Sequence, residues 1–114
     1  MAVKVEQTVD QCIRQCFECV ELCAKCANEC SKSDQAGRMA DCVRLCLDCV
    51  DLCTACATML ARESRFGSQV CGDCAQLCDA CAAECEKYAS MGDIMRQCAE
   101  ACRRCAETCR SVAA

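Results

Sequence analysis

The chain has 114 residues, a net charge of −4 at pH 7, 20 cysteines, and no histidine, tryptophan or proline. That length fits one domain, residues 1–114, and the interspersed charges offer no basic patch for nucleic acid or anionic lipid. The first seven residues contain no apolar h-region and no run approaches the length of a membrane span, so the chain is expected in the cytoplasm, off the membrane, where dense cysteine reads as metal binding or redox chemistry.

A first helix is predicted over about Val3–Lys32, bearing Cys12, Cys16, Cys19, Cys23, Cys26 and Cys30. Ser33–Gly37 supplies turn residues, and a second helix follows from about Arg38 to Ser64 with Cys42, Cys46, Cys49, Cys53 and Cys56. Arg65–Ser68 turns the chain into a third helix, about Gln69–Ala89, with Cys71, Cys74, Cys78, Cys81 and Cys85. After Ser90–Gly92 a fourth helix, about Asp93–Val112, carries Cys98, Cys102, Cys105 and Cys109. In every helix the cysteines alternate steps of three and four, and the unit C-x-x-C-x-x-x-C recurs four times. Such spacing puts side chains on one stripe of a helix, the a and d seam that usually holds Leu or Ile.

Short connections make sequential helices antiparallel neighbours, so the fold class is all-α, an antiparallel up-down-up-down four-helix bundle with cysteines lining the core. The seven-residue period keeps the stripe turned inward under a left-handed supercoil. Glu21 with Lys25 and Arg44 with Asp48 are opposite charges at i,i+4 spacing, as expected of a solvated face.

Cysteine does serve as a small buried hydrophobe, but twenty seam positions filled this way would bury less apolar surface than aliphatic side chains. Metal ligation accounts better for the ladder. Cu(I) is soft and accepts two or three thiolates, and cysteines at i,i+3 or i,i+4 can converge on such an ion. If every thiolate bridges two Cu(I) and every ion takes two thiolates, ions and cysteines balance and the interior stays neutral. That predicts about one Cu(I) per cysteine, on the order of 20 per chain. An isolated Zn(II) site of four thiolates would instead bury two uncompensated negative charges, at high cost. A zinc or cadmium thiolate buffer therefore stands as the alternative. An iron-sulfur electron carrier is weaker, because ferredoxin cysteines come from loops and are often followed by proline. A peroxide-sensing thiol switch lacks the Lys or Arg neighbours that depress a thiol pKa. No constellation for an enzyme is visible: histidine is absent, there is no phosphate-binding glycine loop, and acidic residues lie mainly outside the seam.

Segments such as Cys42-Val43-Arg44-Leu45-Cys46-Leu47-Asp48-Cys49 and Cys98-Ala99-Glu100-Ala101-Cys102-Arg103-Arg104-Cys105 resemble those of the bacterial copper storage proteins, along essentially the whole chain. The resemblance implies a four-helix bundle whose inward cysteines bind many Cu(I) ions, of the cytosolic branch. It further implies a homo-oligomer, commonly a tetramer, and a copper chaperone as a candidate partner. Family members often place histidine with methionine near the bundle opening. This chain has no histidine, so no such residue carries over.

Extending the ladders beyond the cysteines gives two unlike ends. One mouth is expected to hold Met39, Tyr88, Met91 and Met95, and the other Val5, Val9, Leu60 and Val112. Thioethers are neutral soft ligands that hold Cu(I) less tightly than thiolates, which suits an entrance, and they equally serve as fillers of irregular core space. Phe17 and Leu47 fall at outward b positions, where the third and fourth helices carry charged residues and Gly72, so the first two helices are candidates to face a partner subunit.

Overall fold

The computed structural model describes residues 2–114, with side chains from Thr8 onward. The described residues form four helices, α1 Ala2–Lys32, α2 Ala40–Ala61, α3 Gly67–Glu86 and α4 Asp93–Ala113, with one 3-10 turn, Ala89–Met91, before α4. No strand occurs among the described residues. Charges at several helix ends complement the backbone dipole: Asp41 and Asp93 lie in first turns, Lys32 and Arg110 in last turns.

Each helix packs on the two next to it in sequence, with α4 closing back on α1, so the four form a ring elongated to 50 × 20 × 18 Å. The antiparallel register is written in the sulfurs. From one end of α1 to the other, Cys12 meets Cys109, Cys19 meets Cys102 and Cys23 meets Cys98. Between α2 and α3, Cys42 meets Cys85, Cys46 meets Cys81, Cys53 meets Cys74 and Cys56 meets Cys71. Alanines such as Ala57, Ala82 and Ala106 are buried beside the seam, and their small size lets the helices close on it. A second shell of Ile13, Val20, Leu45, Leu52 and Leu77 supplies aliphatic packing farther out.

Three boundaries differ from expectation. Helix α2 stops at Ala61 because the chain forms a Schellman-type close, in which Ser64 N–H bonds to Met59 C=O at 3.0 Å and Glu63 N–H to Leu60 C=O at 3.1 Å. Glu63 sits at φ 55°, a left-handed conformation that glycine usually supplies, so the sequence carries no mark of the stop. Helix α3 then begins at Gly67, where a Cβ would lie 3.1 Å from the Leu60 side chain; glycine lets α2 and α3 meet closely there. At its far end α3 yields at Glu86, and the residues before α4 tighten into the 3-10 turn.

The surface ion pairs divide. Glu21 and Lys25 pair at 2.8 Å as expected, but Arg44 reaches back to Asp41 at 3.4 Å instead of forward to Asp48. An acid placed N-terminal to its base is the better-oriented helix pair, which accounts for the choice. Across the α3–α4 seam, Arg103 bonds Glu86 at 2.9 Å and Asp79 at 3.2 Å, while Arg110 bonds Asp79 at 2.6 Å. Arg104 and Glu18 tie α4 to α1.

Candidate metal centre

All 20 cysteines are free thiols with no solvent exposure. Their inward direction follows from the 3,4 spacing, and the bundle adds depth by setting one sulfur from each helix at a common level. Cys12, Cys56, Cys71 and Cys109 form one such level, Cys19, Cys53, Cys78 and Cys105 another, and Cys23, Cys46, Cys81 and Cys98 a third. Within each group the sulfurs lie inside 4.8 Å of one another. The groups overlap: Cys56 and Cys109 also join Cys16 and Cys74, and Cys23 and Cys81 also join Cys49 and Cys102. Sulfur contacts of 3.3 to 4.0 Å, the shortest between Cys56 and Cys71, run along the tube. Toward the Cys30 end the line continues through Cys26–Cys30 at 3.9 Å, Cys42–Cys85 at 3.6 Å and Cys85–Cys98 at 3.9 Å. Shared membership makes this a continuous band of donors, unlike a row of separate sites.

No polar or charged residue is buried among the described residues, so the thiols bond mainly to one another, with Cys49 also donating to the Leu77 carbonyl at 4.0 Å. Removal from water pushes the Cys30 thiol up, and the negative charge that Cys26 and Cys42 would carry pushes it further. Hydrogen bonding with Cys19, reinforced by burial, likewise raises Cys102. Cys16 and Cys49 are drawn down to about 6, chiefly through hydrogen bonds with Cys105 and Cys102 respectively. A thiol that donates to a neighbour helps that neighbour hold charge, so protons lost to incoming cations can be taken from alternate members of the network. The donor set is all soft sulfur with no carboxylate or imidazole in the seam. It therefore suits a soft monovalent ion and offers nothing to a hard oxygen-seeking one.

The methionines are graded in depth along α4. Met91 on the 3-10 turn is 44% exposed, Met95 one turn farther is 6% exposed, and Cys98 below it is fully buried. Met39 is fully buried beside the α1–α2 connection. Extrapolating the ladder put Met91 in line with the seam, yet the α4 helix begins at Asp93, so helical spacing no longer governs Met91 and its side chain reaches solvent. Tyr88 packs on the core edge, and its hydroxyl donates to the Arg38 carbonyl at 3.0 Å, a contact no spacing rule shows. At the opposite end Leu60 is buried, and Val9 and Val112 are partly buried against the core. Val5 lies outside the residues whose side chains are described. Phe17 and Leu47 are about half exposed, as their b positions predict, and so is Phe66, beneath Arg65 at 5.0 Å from its ring centroid.

The copper storage protein (Csp) family model matches residues 5–114. No curated protein matches the chain. Among solved structures, a cytosolic copper storage protein from Streptomyces lividans, loaded with five coppers, is 34% identical and superposes with a TM-score of 0.93 over 99% of this chain and 97% of its own. Copper storage protein 3 from Bacillus subtilis, in Cu(I)-bound form, is 34% identical with a TM-score of 0.88 over 94% of this chain and 99% of its own. A Streptomyces lividans variant with two histidines changed to alanine is also 34% identical, with a TM-score of 0.91 over 95% and 94% of the two chains. The present chain has no histidine to correspond to them. Sequence, fold and sulfur-lined interior agree, and the chain belongs to the copper storage protein family.

Proposed function

We propose that this chain takes up and stores Cu(I) on all 20 cysteines, at about one ion per cysteine, with no catalytic step. The observation that carries the reading is the overlap of the four-cysteine groups: sulfurs that belong to two groups are suited to bridge two ions, the arrangement that keeps a buried thiolate interior neutral. Met91, Met95 and Met39 form the way in, capturing the ion at an exposed thioether and passing it to thiolates below. The graded burial along α4 supports that direction, and the hydrocarbon of Leu60, Val9 and Val112 closes the other end. The family's cytosolic member supports a cytoplasmic store, and a copper chaperone is the proposed supplier. A homo-oligomer would use the α1–α2 face, where Phe17 and Leu47 stand exposed.

The test is titration with Cu(I) against a strong chelator, joined to anomalous scattering from Cu(I)-soaked crystals. Saturation near one equivalent per cysteine, with ions along the whole tube, is expected. Saturation at four or five equivalents per chain refutes the shared-thiolate scheme. Metal analysis of protein produced in zinc- or cadmium-rich medium, then challenged with Cu(I), should show full displacement.

A further inference from the structure

We infer that Tyr88 is the latch of the methionine end and sets the rate at which copper passes it. This inference rests on that end being the way in. Tyr88 is the next seam position after Cys85 on α3, but the helix has ended at Glu86 and the half-buried side chain packs against the edge of the core. Its hydroxyl donates to the carbonyl of Arg38, fifty positions away in sequence. Among the described residues this is the one side-chain hydrogen bond that joins the α1–α2 connection to the α3–α4 connection. Arg38 adjoins Met39, whose own N–H is held within the turn by Gln35 and Ala36 at 3.1 and 3.2 Å. The backbone carbonyl of Tyr88 accepts the Met91 N–H at 2.9 Å. One residue thus ties the segments that carry Met39 and Met91, by its side chain on one and its main chain on the other.

With the latch closed, Met39 has no exposure and Met95 almost none, so an ion captured at Met91 has no open path to Cys98 or Cys42. Passage requires the two connections to part, and the flux follows the fraction of time they are apart. Tyr88 is a positioning residue in this scheme, because it holds the methionine segments and leaves coordination to sulfur. Breaking one neutral O–H···O=C bond while retaining the ring should raise the open fraction by roughly two- to ten-fold.

The experiment compares the full chain with Tyr88→Phe, following uptake of Cu(I) from a weak colorimetric chelator and its release to a strong one by stopped flow. Tyr88→Phe should exchange copper roughly two- to ten-fold faster in both directions, with capacity unchanged. Thr54→Val removes a hydroxyl bonded to the Val50 carbonyl far from the mouth and should leave both rates at the unaltered value. Equal acceleration by the two variants would mean general loosening and would overturn the latch. A variant with Met39, Met91 and Met95 all changed to Leu should load slowly. Unaltered rates in Tyr88→Phe beside a slow methionine variant would remove the latch and keep the entrance, whereas unaltered rates in both would remove both. Hydrogen exchange of the unsubstituted chain gives a reading that needs no variant: the Met39 and Met91 amides should open together, at least as fast as the limiting uptake rate, and slower opening overturns the inference.

Discussion

Replacing Cys53 and Cys78 with alanine distinguishes shared thiolates from separate sites. Their sulfurs lie 3.6 Å apart, both belong to the level completed by Cys19 and Cys105, and both also touch Cys74, at 3.6 and 3.9 Å. Where every thiolate bridges two ions and every ion takes two thiolates, removing two cysteines removes two ions. A separate four-thiolate site at that level would lose one ion. Each substitution deletes a fully buried sulfur and leaves a small void, costing about 1–2 kcal/mol, so the pair costs roughly 2–4 kcal/mol. Domains of this size commonly hold about 5–15 kcal/mol, so the metal-free variant should stay folded with Tm lowered by roughly 10–20 °C. Native mass spectrometry counts bound ions one at a time, and circular dichroism follows the melt. A loss of one ion, of none, or of four or more refutes the bridging argument.

Glu63→Gly should stabilise the chain by about 1 kcal/mol, because the residue occupies a left-handed conformation that costs a side chain roughly this much; an unmoved urea midpoint would contradict that account. Arg103→Ala should cost under about 1 kcal/mol, since its pairs with Glu86 and Asp79 are only half shielded from solvent. Hydrogen bonding to Arg103 holds the Glu86 carboxyl below its usual range, so this contribution is present at neutral pH and is lost as pH falls below that range and through the lowered folded-state value. A loss that persists in high salt, or in acid strong enough to protonate Glu86 in the folded chain, would show the argument wrong in urea titrations. Phe17→Asp with Leu47→Asp should lower the solution mass measured by light scattering if the α1–α2 face joins subunits, and an unchanged mass removes that face from assembly.

The cysteine ladder made the helices and the inward seam of thiols legible because its period is that of the structure itself. Where the period ended, so did the reading. Met95 lies inside α4 and is buried as expected, while Met91 lies before the helix begins and turns outward. The end of α2 was hidden because Glu63 does what a glycine would ordinarily advertise. Arg103 and Arg110 were visible as outward charges, but their partners Asp79 and Glu86 depend on which flanks of α3 and α4 adjoin, information no single helix contains. The Tyr88 bond to Arg38 depends on two connections meeting in space.

A narrow sulfur-lined tube with methionines at one end and Leu60, Val9 and Val112 at the other would, if filled from the methionine end as proposed, impose a history on its contents. Sulfurs no more than 4.0 Å from the next would let an ion entering at the methionine end pass inward from thiol to thiol. With the methionine end as the proposed entrance, such a column would behave as a stack, the ions nearest that end withdrawn first and those beside Cys12 and Cys56 last.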